Sequence, residues 1–531
     1  MTFRQAILSV LTVVVLLFSA GPALISSIQE QQITDRLELH QTDMLLQASE
    51  LKVAVDGDQL VPVQVALVGK NPGETALKAY QETRDSAQAA LDRLNTKIED
   101  LEEAIAAVPP QPESTADAPP TRSSTAQQEQ QLGLTRRNVL KQERLITQLD
   151  INLGILQAHE GDIDAARQTW SDLSSPLLTS QSLASTLLNL WADTPNISDD
   201  LEPQIRQGLN GWFRDRALTR LYDVQQNAEA LATLQTEEQA IAQQTVKKLV
   251  LLSAGPVVGC ITGIGLIIFL IVQRFLKGQE AILAEGKAQK WETPWNWEIT
   301  WQVIIIGFFV VGQFIVPIFF QIFKPAVVQL GSMVGLVDGH MTAASTLMVY
   351  SLMSIGTLAV LYTSIQKYNP FEKGWFRVNL LEKWWAWGLS GYMVAVPLVI
   401  GVSVVNQYIW QGRGGSNPLL QTVLEEGDSF ALGVFFFTAA IAAPIFEEIL
   451  FRGFILPSLT RYVSTWGAIA LSSFIFAAAH LSVSEILPLM ILGMVLGFVY
   501  TRSKNLLAPM MVHSLWNSAT MAGLFVLGSS T

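Results

Sequence analysis

The sequence predicts an all-α, polytopic membrane protein of about eight or nine spans, carrying a mostly helical, water-soluble insert. Three observations predict it. Apolar segments long enough to cross or nearly cross a bilayer recur nine times. Charge is segregated: residues 28–246 hold 33 acidic and 17 basic side chains, and the rest of the chain holds 13 and 17. A net of −16 in the insert and +4 elsewhere makes up the overall −12. Finally, lysine and arginine collect in alternate loops between the apolar segments, as they do when those loops stay in the cytoplasm.

The apolar segments fall near 5–27, 249–272, 301–321, 342–364, 384–404, 431–458, 466–483, 486–501 and 505–527. The first, within residues 1–28, reads as an N-terminal anchor because its apolar run continues to about Ile28. A signal peptide is the alternative, since Arg4 precedes a short apolar core and Ser19, Ala20 and Gly21 follow it. Arg274, Lys277, Lys287 and Lys290 follow the second segment, and Lys367, Lys373, Arg377 and Lys383 follow the fourth. Arg461, Arg502 and Lys504 complete the series, against Lys324 and Arg413 in the other loops. Eleven positive charges against two place the rich loops and Arg4 inside, and residues 29–246 outside, in a periplasm or lumen.

The insert reads as helical. Leu91, Leu94, Ile98, Leu101 and Ile105 recur at helical spacing within 77–108. Five prolines between Pro109 and Pro120 mark a flexible linker, and the helical pattern resumes over 125–173. Near 147–178, Leu153, Gly154, Gly161, Ala166, Trp170 and Pro176 are similar in order and spacing to one tetratricopeptide unit. An ordinary helical hairpin explains them equally, because a lone repeat cannot bury its own face. A protein partner for this region is therefore one expectation among others. Asp56–Gly57, between valine-rich pieces of 51–69, reads as a β-hairpin turn. The insert's acidity argues against nucleic acid as a partner. The single cysteine, Cys260, lies in an apolar run, so neither an intrachain disulfide nor a thiolate metal site is expected.

The segments beyond residue 425 carry chemistry. Glu447 and Glu448 stand side by side inside an apolar stretch, with Arg452 four residues after the second. No other acidic residue occurs from Ala431 to Ser484. Charges in a span are costly and usually mark function. Two of the five histidines, His480 and His513, fall in the following apolar segments, and Asn517 lies one turn beyond His513. Glu448 and Arg452 share a helix face, as do Phe476 and His480, and His513 and Asn517. Ala477, Ala478 and Ala479 leave room for close helix approach. Three such faces could enclose a small polar cavity. A carboxylate in apolar surroundings is a stronger base, histidine can move a proton or bind a metal, and an amide can donate to an oxyanion. Taken singly, a Glu–Arg pair serves as well to clasp helices, and a histidine as an ordinary core group. A transporter would also use such residues in a proton relay, although the spans show no internal repeat.

Together, Glu447-Glu448-Ile449-Leu450-Phe451-Arg452, Phe476-Ala477-Ala478-Ala479-His480 and His513-Ser514-Leu515-Trp516-Asn517 resemble the motifs EExxxR, FxxxH and HxxxN. These are the motifs of the CPBP intramembrane endopeptidases, which include type II CAAX prenyl endopeptidases and bacteriocin-processing, Abi-like proteins. The resemblance covers residues 425–531 and omits the insert. It implies a protease in which Glu447 activates a water, His480 helps to place it, and Glu448 and Arg452 orient and charge-balance the base. His513 and Asn517 would hold the oxyanion. The family is often labelled metalloprotease, and Glu447, His480 and His513 could supply ligands to a divalent metal such as zinc. The chain has no HExxH, and water activation without metal is the preferred reading. The implied partners are the lipid bilayer and a protein or peptide substrate, prenylated C-termini being one substrate class of the family. A non-catalytic scaffold or immunity-type protein, with the insert binding a partner, is the alternative.

Span counting leaves one conflict. Glu447 falls in the middle or inner half of the sixth segment, and His480 near the outer end of the seventh. They meet only if the sixth helix runs on to about Leu459 or the seventh passes Val483. Pro444, Pro457, Pro488 and Pro509 mark where these helices could bend.

Overall fold

The computed structural model describes residues 2–29, 34–52, 66–107, 124–173, 178–284, 291–333, 335, 338–371, 374–410, 412–416, 418–425 and 428–528. These residues contain no β-strand, and the protein is all-α and polytopic, as the sequence predicts. The expected hairpin around Asp56–Gly57 and the Pro-rich linker near 109–120 lie outside the described residues. The chain divides into two compact units, Asp35–Val250 and Met1–Thr34 with Leu251–Ser529.

The unit Asp35–Val250 is built from α2 (Thr34–Ser49), α3 (Pro72–Ala106), α4 (Ser124–His159), α5 (Ile163–Ser171), α6 (Leu178–Leu190), α7 (Leu201–Gly208) and α8 (Gly211–Gln225). Helices α3 and α4 run antiparallel, tied by Arg84–Asp150 at 3.0 Å, Gln142 to the Ala87 carbonyl, and Arg136–Glu102. Gly161 turns the chain at φ +92, and Asp162 caps α5 by accepting from the Ala165 N–H. The Trp170 indole donates to the Ile151 carbonyl at 3.2 Å, directly over Gly154. A Cβ on Gly154 would stand 2.2 Å from that indole nitrogen, so glycine is required there. This is the helical hairpin common to both sequence readings; Pro176, the last residue of the repeat-like pattern, lies outside the described residues.

In the other unit, eight helices are long and apolar enough to cross a membrane among the described residues. They are α1 (Phe3–Ile28), the apolar part of α9 (Ala228–Lys277), α10 (Trp297–Met333), α11 (Asp338–Ile365), α12 (Trp384–Trp410), α14 (Ser429–Leu459), α16 (Ile486–Ser503) and α17 (Leu507–Gly528). Between α12 and α14 lies the short α13 (Pro418–Glu425). Helix α15 (Thr465–Ala478) has 14 residues. At 1.5 Å per residue it reaches roughly 21 Å, short of a bilayer core of about 30 Å.

The sixth segment thus continues to Leu459, whereas the seventh, expected over 466–483, stops at Ala478. The chain turns there because Leu481 adopts φ +57 and the groups beyond it are bonded elsewhere. The Val483 N–H donates to Ser27 Oγ, and the Ser484 N–H to the Gly414 carbonyl. Asn406 donates to the Ser484 carbonyl, and the Ser482 and Ser484 hydroxyls donate to Gly414 and Gly415. Irregular backbone in an apolar region persists only when its polar groups find partners, and these five bonds provide them. Gly414 has φ +106, and a Cβ there would come within 2.6 Å of Ser484 Cβ.

Helix α14 is not uniformly wound. Thr438–Ala442 and Ile449–Ile455 form wider i→i+5 turns on either side of the α-helical stretch Ala443–Glu448. Two carbonyls are released as a result. The Ala443 N–H bonds to Thr438 rather than to Ala439, and Pro444 has no N–H to offer Ala440. Side chains of α17 take their place: Asn517 Nδ2 donates to Ala439 at 2.7 Å and Ser514 Oγ to Ala440 at 2.6 Å.

Candidate active site

The two adjacent glutamates are divided by one helix step, about 100°. Glu448 is fully buried and turned towards α16 and α17, while Glu447 lines a cavity of about 550 Å³. Both nitrogen partners of Glu448 bond to one oxygen. Arg452 Nη1 donates to Glu448 Oε1 at 2.9 Å, and His513 Nδ1 donates to the same atom at 2.8 Å. Arg452, also fully buried, gives Nη2 to the Gly493 carbonyl at 3.2 Å. Its guanidinium lies 4.5 Å from the centre of the Phe476 ring, which is itself completely enclosed. Gly493 exposes that carbonyl because α15 passes so close that a Cβ would stand 2.9 Å from Ser473 Cβ.

His513 links the two glutamates. With Nδ1 on Glu448, its Nε2 faces Glu447 Oε2 at 3.9 Å. Tyr350, on α11, donates from its hydroxyl to Glu447 Oε1 at 3.0 Å. A line of polar groups therefore runs Arg452, Glu448, His513, Glu447, Tyr350. When His513 is protonated, two cations face two carboxylates and the cluster is neutral. When it is not, the cluster bears one negative charge, which the apolar surroundings penalise and the fixed donors offset. Glu447 Oε2 has no hydrogen-bond partner among the described residues.

His480 and Asn517 line the same cavity but are held by backbone. His480 follows the end of α15, and its Nδ1 donates to the Phe476 carbonyl at 2.9 Å. A carbonyl can only accept, so Nδ1 carries the proton and Nε2 of the neutral ring is an acceptor. Asn517 has one amide hydrogen committed to Ala439. All six residues singled out in the sequence thus reach one region. Glu448, Arg452 and His513 are directly hydrogen-bonded, Glu447 lies 3.9 Å from His513, and His480 and Asn517 take their places through backbone bonds.

Glu447, His480 and His513, the expected metal set, all line this cavity. Among the described residues, no three His, Cys, Asp or Glu side chains group as metal ligands. Both histidines give Nδ1 to a fixed acceptor, Glu448 for His513 and the Phe476 carbonyl for His480, which leaves Nε2 of each ring for other partners.

Two participants escaped the sequence. Phe476 was legible only as a spacing marker, yet it is the aromatic floor beneath Arg452 and also lies edge-on to His513 at 5.8 Å. Tyr350 gave no signal, since one tyrosine in an apolar helix is unexceptional.

Residues 429–519 match the family model described as Type II CAAX prenyl endopeptidase Rce1-like. The chain is similar to Putative membrane peptidase YdiL of Bacillus subtilis (strain 168), at 26% identity over 132 residues, covering 25% of this chain and 53% of that one. It is similar to Membrane-embedded CAAX protease MroQ of Staphylococcus aureus (strain USA300), at 28% over 137 residues, covering 25% and 54%. UPF0177 protein YxdF of Lactococcus lactis subsp. lactis (strain IL1403) shares 28% over 149 residues, covering 26% and 78%. The chain spans about half the length of the first two of these relatives. No solved structure matches. The resemblance to CPBP endopeptidases read from the three motifs is borne out over this region.

Proposed function

We propose that this protein is an intramembrane endopeptidase in which Glu447 activates a water against a peptide carbonyl. The observation that carries the reading is Glu447, whose side chain lines a cavity and whose Oε2 is a buried carboxylate oxygen without a hydrogen-bond partner among the described residues. A base needs such a lone pair. His480, also on that wall, has Nδ1 committed to Phe476, so its Nε2 is the nitrogen to accept the water's second hydrogen and fix its orientation.

In the reaction Glu447 Oε2 removes a proton as the water oxygen bonds to the carbonyl carbon. The carbonyl electrons move to oxygen, and His513 meets that charge. Because Nδ1 is given to Glu448, His513 can donate to an oxyanion only from Nε2, and only as the imidazolium. Glu448 is placed to stabilise that cation, while Arg452 offsets Glu448. Collapse of the tetrahedral intermediate breaks the C–N bond, and the proton held by Glu447 passes to the leaving nitrogen. Two ionisations in opposite senses give a bell-shaped dependence of rate on pH.

Phe308, Met353, Leu492, Trp516 and Met521 supply apolar cavity wall, which suits a substrate with apolar residues beside the scissile bond. A lipidated C-terminus has the same character. The test compares protein termini in native membranes bearing wild type or Glu447→Gln at equal abundance. New termini seen only with wild type are expected. Identical termini, with biological function intact in Glu447→Gln, would instead leave the cluster as a packing centre in a scaffold.

A further inference from the structure

We propose that Tyr350 is a positioning residue for Glu447, holding Oε1 so that Oε2 is left beside His513 for the reacting water and keeping the carboxylate ionised. The inference rests on the endopeptidase reading above. Its basis is geometric. Tyr350 reaches across from α11 to donate to Glu447 Oε1 at 3.0 Å, over 97 positions of sequence. Its ring stands edge-on to Phe446, centres 6.1 Å apart, and Phe446 is 3% exposed, so the phenol is held by packing as well as by its bond. Both Tyr350 and Phe446 line the cavity. Helix α11 lies outside the matched residues 429–519.

Charge balance explains why a donor is needed there. Arg452 does not serve Glu447, because its Nη1 is on Glu448 and its Nη2 on Gly493. His513 gives Nδ1 to Glu448 and leaves Nε2 at 3.9 Å from Glu447, too far for a hydrogen bond. Without Tyr350, Glu447 would have no hydrogen-bond donor among the described residues. A carboxylate in apolar surroundings without a donor takes up a proton, and a protonated Glu447 cannot accept one from water. The phenol also occupies a lone pair of Oε1, which leaves Oε2 as the carboxylate oxygen without a partner among the described residues. Tyr350 keeps its own proton throughout.

The experiment compares wild type, Tyr350→Phe and Tyr362→Phe in proteoliposomes, with two readouts. Tyr362 sits on the same helix and is 62% exposed, which makes it the control. The first readout is the infrared carbonyl band of protonated Glu447, identified by its loss in Glu447→Gln and followed against pH. The expected result is a midpoint about one pH unit higher in Tyr350→Phe, the equivalent of losing one hydrogen bond to a charged group. An unmoved midpoint overturns the proposal. The second readout is cleavage of a synthetic peptide spanning the junction that wild type cuts in membranes. Tyr350→Phe should lower kcat about tenfold on the acid side with KM little changed, and should recover at higher pH. A merely structural role would lower it equally at every pH, which overturns the proposal. If the infrared midpoint moves but wild type cuts nothing, the endopeptidase reading fails and the positioning role fails with it. If wild type cuts and the acid limb of Tyr350→Phe stays in place, the positioning role alone fails.

Discussion

Burial of Arg452 sets the strictest demand in the molecule. A guanidinium with no exposed surface is tolerated only because Glu448, the Gly493 carbonyl and the Phe476 ring all meet it. Arg452→Met would remove the cation and leave Glu448 buried with His513 as its remaining hydrogen-bonded partner. The expected cost is about 3–5 kcal/mol of stability, read as earlier thermal unfolding in detergent. The double variant Arg452→Met, Glu448→Gln should recover most of that loss, because the neutral amide no longer needs a counter-charge, and it should stay inactive. If the double variant unfolds as early as the single one, charge balance is not what Arg452 supplies. Much of this was legible beforehand. Two glutamates and an arginine in an apolar run demand an explanation from composition alone, and the i, i+4 spacing of Glu448 and Arg452 fixed that pairing. The partner of Glu447 was not legible, because Tyr350 is uncharged, distant in sequence and ordinary for its setting.

Elements explain how six scattered residues meet. The conflict in depth between Glu447 and His480 is resolved by α14 running on to Leu459 and α15 stopping short at Ala478. Hydrophobicity could not locate that stop, because Leu481 and Val483 continue an apolar pattern while their backbone turns away. The wide turns of α14 were equally hidden. Pro444 signalled a bend, but not that Ala439 and Ala440 would present carbonyls to α17. This bears on Asn517, which the family resemblance makes an oxyanion donor. Here the Asn517 amide also holds α14 to α17, so Asn517→Ala should weaken the fold as well as the chemistry. Leaving the Ala439 carbonyl unpaired in an apolar interface costs about 1–3 kcal/mol. A lower unfolding midpoint together with reduced cleavage is expected. Unchanged stability with reduced cleavage would assign Asn517 to the oxyanion alone.

For the whole molecule, the sharpest contrast is between the acidic unit Asp35–Val250 and the apolar helices that hold the candidate site. The division was visible as a charge boundary, because a folded soluble insert and a bilayer impose opposite compositions. Which side of the membrane the insert occupies follows from a separate argument: basic loops resist translocation, and eleven of thirteen loop cations fall on one face of the predicted topology. Cysteine accessibility tests it. In a Cys260→Ser background, Asp85→Cys is an exposed site on α3, and Glu280→Cys an exposed site just past α9. A membrane-impermeant maleimide should label Asp85→Cys in intact spheroplasts, and Glu280→Cys only after permeabilisation. The reverse pattern would put the acidic unit in the cytoplasm. The same result decides what the insert is able to meet. On the outer side, it can recruit only a lumenal or membrane-spanning substrate. On the inner side, it would stand where prenylated C-termini are presented.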